Sequence, residues 1–346
     1  MTLPLLIAFL GACLASGLIV RATRDVANRR SLLDHPNDRS SHSIPKPRLG
    51  GVGIMAPVLV LGVGLIAAGH SPRTLLVPLG ATGCIALLGL VDDLRPLPAR
   101  VRFAVQVALA SLVVATSSGR LIAGSSVLGG LLPGPVVAAL SVVWIVWLTN
   151  LYNFMDGIDG LAGSQALVAS LGLMVVAVGL GSGASGWLLA SLAGSSLGFL
   201  LFNFPPSSIF MGDVGATAIG FFFGALPLFP EVKPVPVELV ALALSLFLLD
   251  ATATLLRRAA AGEKWYSPHR THLYQRPVAL GKSHLSVTMT ATGAMVIVAA
   301  CVACWGRSSP AVRVALASVP LVLVATGHVM VGRMERAGQA RARLDA

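Results

Sequence analysis

A chain of 346 residues that is 55% hydrophobic and only 11% charged is too apolar for a soluble globular domain, which carries about 25% charged residues. Its formal charge of +11 would suit a nucleic-acid partner if the basic residues formed one patch, but they are spread over separated segments, which excludes that reading. With a mean hydropathy of +0.83, the composition points to an all-α polytopic membrane protein.

Eleven apolar runs read as membrane spans: about 3–20, 51–69, 74–91, 101–117, 135–150, 162–180, 186–202, 214–230, 237–256, 285–305 and 311–332. Turns between several of them are only a few residues long, so residues 1–346 are expected to form a single membrane domain. All Lys and Arg residues except Arg73, Arg120, Lys233, Arg307 and Arg313 fall on one side of this map, which the positive-inside rule makes cytoplasmic. The N-terminus is then expected outside and the C-terminus inside, with cytoplasmic loops at about 21–50, 92–100, 151–161, 203–213 and 257–284. The first run is not expected to be a cleaved signal peptide, because its basic cluster follows the apolar stretch instead of preceding it. Cys13, Cys84, Cys301 and Cys304 lie in spans with no His or Cys cluster beside them, so they read as small packing residues.

In chain order, the first loop (21–50) is rich in Pro, Ser, Asn and Asp and is expected to be irregular. It ends in PRLGG, whose glycines suit either close approach to a ligand or tight helix packing. Next, GLVDDL ends a span on Asp92 and Asp93. Ionised carboxylates at the edge of hydrocarbon are costly, which makes such acids functional candidates. The outside segment 117–134 is Gly-rich and carries no evident chemistry.

NLYNFMDGIDGL is the densest element. Asn153, Asp156 and Asp159 are spaced by three, so a helical stretch would align an amide and two carboxylates as hard-cation ligands. NFPPSSIFMGDVG then places Asp213 at the start of a span, where it either caps the helix or binds a metal beside N–H groups suited to a diphosphate. Asp250 lies within a span and should face the interior. Finally, His269, Arg270, His272, Arg276, Lys282 and His284 share a loop with Trp265, Tyr266 and Tyr274, a mixture suited to a nucleotide sugar. All five aspartates from 92 to 213 fall at the cytoplasmic ends of spans. The segments 150–161 and 203–213 contain no Lys or Arg to neutralise them, so a cation is expected.

Taken in order, PRLGG, GLVDDL, NLYNFMDGIDGL, NFPPSSIFMGDVG, LLDATATLLRR and PHRTHLYQR resemble the polyprenyl-phosphate N-acetylhexosamine-1-phosphate transferases, glycosyltransferase family 4. PHRTHLYQR is similar to the form found in the bacterial branch that initiates O-antigen and other surface polysaccharides. The resemblance implies transfer of an N-acetylhexosamine-1-phosphate from a UDP-sugar to undecaprenyl phosphate at the inner membrane, with Mg²⁺ (or Mn²⁺ in its place) as cofactor. It leaves room for a homodimer. Asp92, Asp93 and Asp156 are the catalytic residues it implies, and Asn153 and Asp213 the metal ligands. The substrate-binding set is Lys46, Arg48, Asn150, Asp159, Asn203, Phe210, His269, Arg270 and His272. Two other classes compete. A transporter or lipid flippase would place its acids near the midplane of paired halves. A CDP-alcohol phosphotransferase would, by resemblance, need DG followed by Ala-Arg, whereas GIDGLAGSQ follows Asp156.

Overall fold

The computed structural model describes residues 2–34, 45–117, 132–181, 183–263 and 270–344. Most of the 117–134 segment, and Trp265, Tyr266 and His269 of the last loop, lie outside the described residues. The described residues are mostly helical: α1 (Leu3–Arg29), α2 (Gly51–Ala67), α3 (Leu76–Leu94), α4 (Ala99–Thr116), α5 (Gly134–Phe154), α6 (Leu161–Leu180) and α7 (Gly183–Asn203), followed by α8 (Asp213–Ala225), α9 (Val237–Ala243), α10 (Ser245–Ala260), α11 (Gln275–Ala279), α12 (His284–Cys304) and α13 (Pro310–Leu344).

Among the described residues, eight helices are long and apolar enough to cross a membrane, or nine if the bent pair α9 and α10 forms one span. The two shorter apolar helices, Gly51–Ala67 and Asp213–Leu228, fall where the second and eighth spans were expected. At 1.5 Å per residue, the 13 residues of α8 cover about 20 Å, short of a hydrocarbon core of about 30 Å. This is tolerable because residues 214–225 are all buried within the protein, where α8 has no lipid to face. Phe221, Phe222 and Phe223 of α8 are buried in the core, where Phe223 and Phe247 of α10 pack on Tyr152 of α5 and Phe222 meets Phe223 edge-on.

Three features depart from the sequence reading. First, α1 runs through Arg29 instead of ending near residue 20, because Arg21, Arg24 and Arg29 are good helix formers that need no membrane to continue the helix. Second, the 21–50 loop is not wholly irregular: Leu33–Asp34 (β1) pairs antiparallel with Lys46–Pro47 (β2). Third, the span expected at 237–256 breaks at Leu244, where α9 and α10 meet at 77°. A carbonyl freed at this break is satisfied by Gln165, whose Nε2 donates to Ala243 O at 3.0 Å. That hydrogen bond keeps a bend inside the bundle from leaving an orphan acceptor.

Candidate active site

The site assembles where α3, α5 and α8 meet. Neighbouring residues on a helix point about 100° apart, and the Asp92–Asp93 pair uses that difference. Asp93, with a side chain only 1% exposed, accepts hydrogen bonds from the Asp213 and Val214 N–H groups at 3.0 Å each. It therefore caps α8 from a different helix. The Arg48 guanidinium stands 3.9 Å away. Asp92 turns the other way and accepts from the Leu97 N–H and from Arg102 Nη1, both at 2.6 Å. The same Arg102 nitrogen lies 3.1 Å from Asp213 Oδ2, so one guanidinium bridges the end of α3 to the start of α8.

This geometry corrects the expectation of free N–H groups at the α8 terminus. Asp93 occupies those of Asp213 and Val214, while those of Gly215 and Ala216 donate back to Gly212 O at 3.1 and 3.0 Å. Asp213 is not the cap; it is the first helical residue, held by its own backbone with its carboxylate projecting toward Arg102. Gly212 is required here, since its φ of +74° is left-handed and a Cβ would strike the Asp93 carboxylate.

α5 and α8 pack closely and antiparallel: Gly220 abuts Leu148, Thr149 and Tyr152, and Gly224 abuts Ile145. Continuing this register by one turn brings the start of α8 level with Asn153. Because α5 ends at Phe154, residues 155–160 form a turn and not the helical face expected for Asn153, Asp156 and Asp159. Asp156 sits on that turn within electrostatic reach of both Asp93 and Asp159. Burial, then the negative charges of Asp93 and Asp159, push its carboxyl up to about 7.

Asp159 has the opposite environment. Burial works against its charge, but His284, the Ser207 N–H and hydroxyl, and the Lys46 ammonium together hold it well below the usual carboxylate range. The Ser207 N–H donates to its Oδ2 at 3.1 Å, and Lys46 Nζ and His284 Nδ1 lie at 3.5 and 3.6 Å. Lys46 also donates to Ser207 Oγ at 2.9 Å and stands over the Phe210 ring. β2 therefore delivers Lys46 to the turn, and the backbone bond from Phe210 N–H to Pro47 O (2.8 Å) fixes that delivery.

Asn203 is buried. Its Oδ1 accepts from the Gly160 N–H and its Nδ2 donates to Ile209 O, both at 2.9 Å, so it ties the 155–160 turn to the 203–213 loop. Asn203→Ala should orphan two buried backbone groups at roughly 1–3 kcal/mol each, seen as a lowered thermal unfolding midpoint of purified protein in detergent. An unchanged midpoint would remove this role. Asn150 donates to Gln106 Oε1 on α4 at 2.7 Å. His272 is buried against Asp250 and stacked on Tyr274 instead of lying open to solvent, while Arg270 is exposed. Asp250 acquires a role the sequence left open: it accepts from the Leu273 and Tyr274 N–H groups at 2.7 and 3.4 Å and so holds the last loop.

The side chains expected to hold a cation are all hard-oxygen donors: the carboxylate of Asp213 at the start of α8, and the amide of Asn153 and carboxylate of Asp156 at and just past the end of α5. Among the described residues no three His, Cys, Asp or Glu side chains are grouped closely enough to hold a metal by themselves. Mg²⁺ suits such a site, because it takes one or two carboxylates and completes its shell with water and substrate phosphate.

Comparison with known proteins bears on the same segment. A model of glycosyl transferase family 4 matches residues 75–230, which carry Asp92, Asp93, Asn153, Asp156, Asp159 and Asp213. The chain is 30% identical over 291 residues to a probable undecaprenyl-phosphate N-acetylglucosaminyl 1-phosphate transferase of Bacillus subtilis, covering 81% of this chain and 79% of that protein. The chain belongs to glycosyl transferase family 4. Other family members are similar over comparable lengths. A decaprenyl-phosphate N-acetylglucosaminephosphotransferase of Mycobacterium leprae is 30% identical, covering 76% of this chain and 74% of its own. A phospho-N-acetylmuramoyl-pentapeptide-transferase of Deinococcus radiodurans is 30% identical over 61% of this chain and 72% of its own. Arg102 and Ser207 are site neighbours that the sequence reading did not single out, while His284, read there with the last loop, meets Asp159. The available signal for Arg102 was a pair of arginines, Arg100 and Arg102, opening an otherwise apolar helix, Arg102 ten residues after Asp92.

Proposed function

We propose that this family member transfers N-acetylhexosamine-1-phosphate, GlcNAc or a related amino sugar, from a UDP-sugar to undecaprenyl phosphate with release of UMP. This is a first membrane step of surface-polysaccharide or cell-envelope glycan synthesis. The reading is carried by the meeting of Asp92 and Asp213 at Arg102, with Asp93 capping the same turn of α8 and Asp156 within electrostatic reach of Asp93. The names of the relatives support it, each acting on a polyprenyl phosphate or a phospho-sugar. The positive-inside distribution favours a site facing the cytoplasm at the inner membrane, where the nucleotide sugar is available.

An acceptor phosphate oxygen attacks the sugar-bearing phosphorus of the diphosphate in line, the bond to the bridging oxygen breaks, and UMP leaves. The acceptor monoester is largely ionised at neutral pH, so the main obstacle is the approach of two anions. Arg102 and Lys46 supply positive charge at the two ends of the acidic cluster. Asp92, held by Leu97 and Arg102, orients the acceptor or takes its remaining proton. Asp213 and Asn153 would hold Mg²⁺, which supplies neutralisation of the diphosphate and stabilisation of the UMP leaving group. A transporter is disfavoured because the acids gather at one end of the bundle instead of at a midplane between paired halves.

A panel of UDP-N-acetylhexosamines assayed with undecaprenyl phosphate should give a lipid diphosphate sugar and equimolar UMP with at least one member. No product from any of them would remove the reading. A pH dependence follows from Asp156, which is neutral below about 7 and ionised above it. Turnover should therefore rise between pH 6 and 8, and Asp156→Asn should be slow with a flat profile over that range. A variant retaining the wild-type rise would assign that ionisation elsewhere.

A further inference from the structure

Arg276 spends its side-chain donors on a single distant helix. Its Nε and Nη2 donate to Glu335 Oε1 and Oε2 at 2.9 and 2.7 Å, the two-point geometry of a guanidinium–carboxylate pair. Its third nitrogen, Nη1, lies 3.2 Å from His328 Nδ1. His328 and Glu335 are two helical turns apart on α13, so one face of that helix receives the whole guanidinium. With all three nitrogens engaged, Arg276 is not placed as a phosphate ligand, although its loop is basic and borders the site.

What Arg276 controls lies on its N-terminal side. It follows the His272–Gln275 turn, whose backbone Asp250 grips from α10. Tyr274 is buried, and its hydroxyl donates to Phe154 O, the last residue of α5, at 3.1 Å. A Cβ on Gly157 would collide with that hydroxyl and press on Gln275 Nε2. The turn carrying Asp156 and Asp159 is thus backed directly by Tyr274, and Tyr274 is pinned at two points, by Asp250 and, through Arg276, by Glu335.

We infer that Glu335 is a positioning residue for the proposed transfer, acting through Arg276 and Tyr274 on the 155–160 turn. The inference rests on the transferase reading. It gives the C-terminal half of α13 a part in the reaction from outside the acidic cluster. A surface ion pair with no such part would contribute little, and its loss would leave kinetics unchanged.

The test compares steady-state kinetics of purified full-length protein carrying Glu335→Gln, Arg276→Gln, both together, and the charge-reversed pair Arg276→Glu with Glu335→Arg. Tyr274→Phe is a second route to the same contact, and Arg333→Gln, exposed on α13, is the control. Glu335→Gln should lower kcat about tenfold or more, with the KM for undecaprenyl phosphate changed less than twofold. The two glutamine substitutions together should be no worse than either alone, because they break one link. Tyr274→Phe should show the same split, the reversed pair should recover at least threefold over Arg276→Glu alone, and Arg333→Gln should match wild type. Wild-type kcat in Glu335→Gln, or losses that multiply in the double variant, would overturn the inference. If Glu335→Gln fails to fold, a wild-type kcat in Tyr274→Phe overturns it equally. Absence of turnover in the wild-type protein itself would instead remove the transferase reading on which it stands.

Discussion

Asp213→Asn is expected to lower turnover by roughly 10²–10³-fold, the range seen when one preorganised polar group that stabilises a transition state is removed. The fold should tolerate the change. What holds the start of α8 is the Asp213 backbone N–H, which donates to Asp93 and survives in asparagine. Arg102 keeps its 2.6 Å partner Asp92. Membrane insertion and the thermal midpoint should therefore remain close to wild type while product formation collapses. Asp93→Asn is the informative contrast. It replaces a charged cap that satisfies two N–H groups of a buried helix, so stability and turnover should fall together. If Asp213→Asn kept even a tenth of wild-type turnover, its carboxylate could not be the site's principal cation ligand.

The second large effect requires no change to any polar residue. Gly89 lies on α3, four residues before Asp93, and a Cβ there would overlap the Asp213 carbonyl and the Val214 nitrogen. These are backbone atoms in the first turn of a buried helix and cannot swing aside. Gly89→Ala should push α8 away from α3, costing about 1–3 kcal/mol in stability. It should also cost 10²-fold or more in turnover, because a displacement near 1 Å at reacting groups has that effect. Gly80, on the same helix, has nothing within 4 Å of its Cβ position, and Gly80→Ala should be silent. Equal, near-wild-type activity in both variants would show that α3 and α8 are not held in this register.

The acids were legible because the membrane makes charge conspicuous. In a chain this apolar, Asp92, Asp93, Asp156, Asp159 and Asp213 mark the ends of runs, and the structure brings those ends together. What each acid binds was not legible, since it depends on rotation about helix axes and on partners more than a hundred residues away. Asp93 and Asp213 look equivalent as span-end aspartates, yet Asp93 is buried under two N–H groups and Asp213 faces a guanidinium. A three-residue spacing suggested a continuous helix through Asp159, but α5 ends at Phe154, and the next helix starts only after Gly160, whose φ is +79°. The break at Leu244 carries neither Pro nor Gly, and its signal was Gln165, a polar side chain inside another helix whose partner no local pattern announces. Residues 118–131 and His269 lie outside the described residues.

One titration tests most directly whether these carboxylates cooperate on a cation and a diphosphate: Mn²⁺ binding to the purified protein, followed by electron paramagnetic resonance with UDP-GlcNAc present and absent. The expected result is about one tightly held ion per chain when the nucleotide sugar is present, weakened at least tenfold by Asp213→Asn and displaced by Mg²⁺. Mn²⁺ affinity that ignored both the nucleotide sugar and the Asp213 substitution would contradict a shared centre at the meeting of α3, α5 and α8.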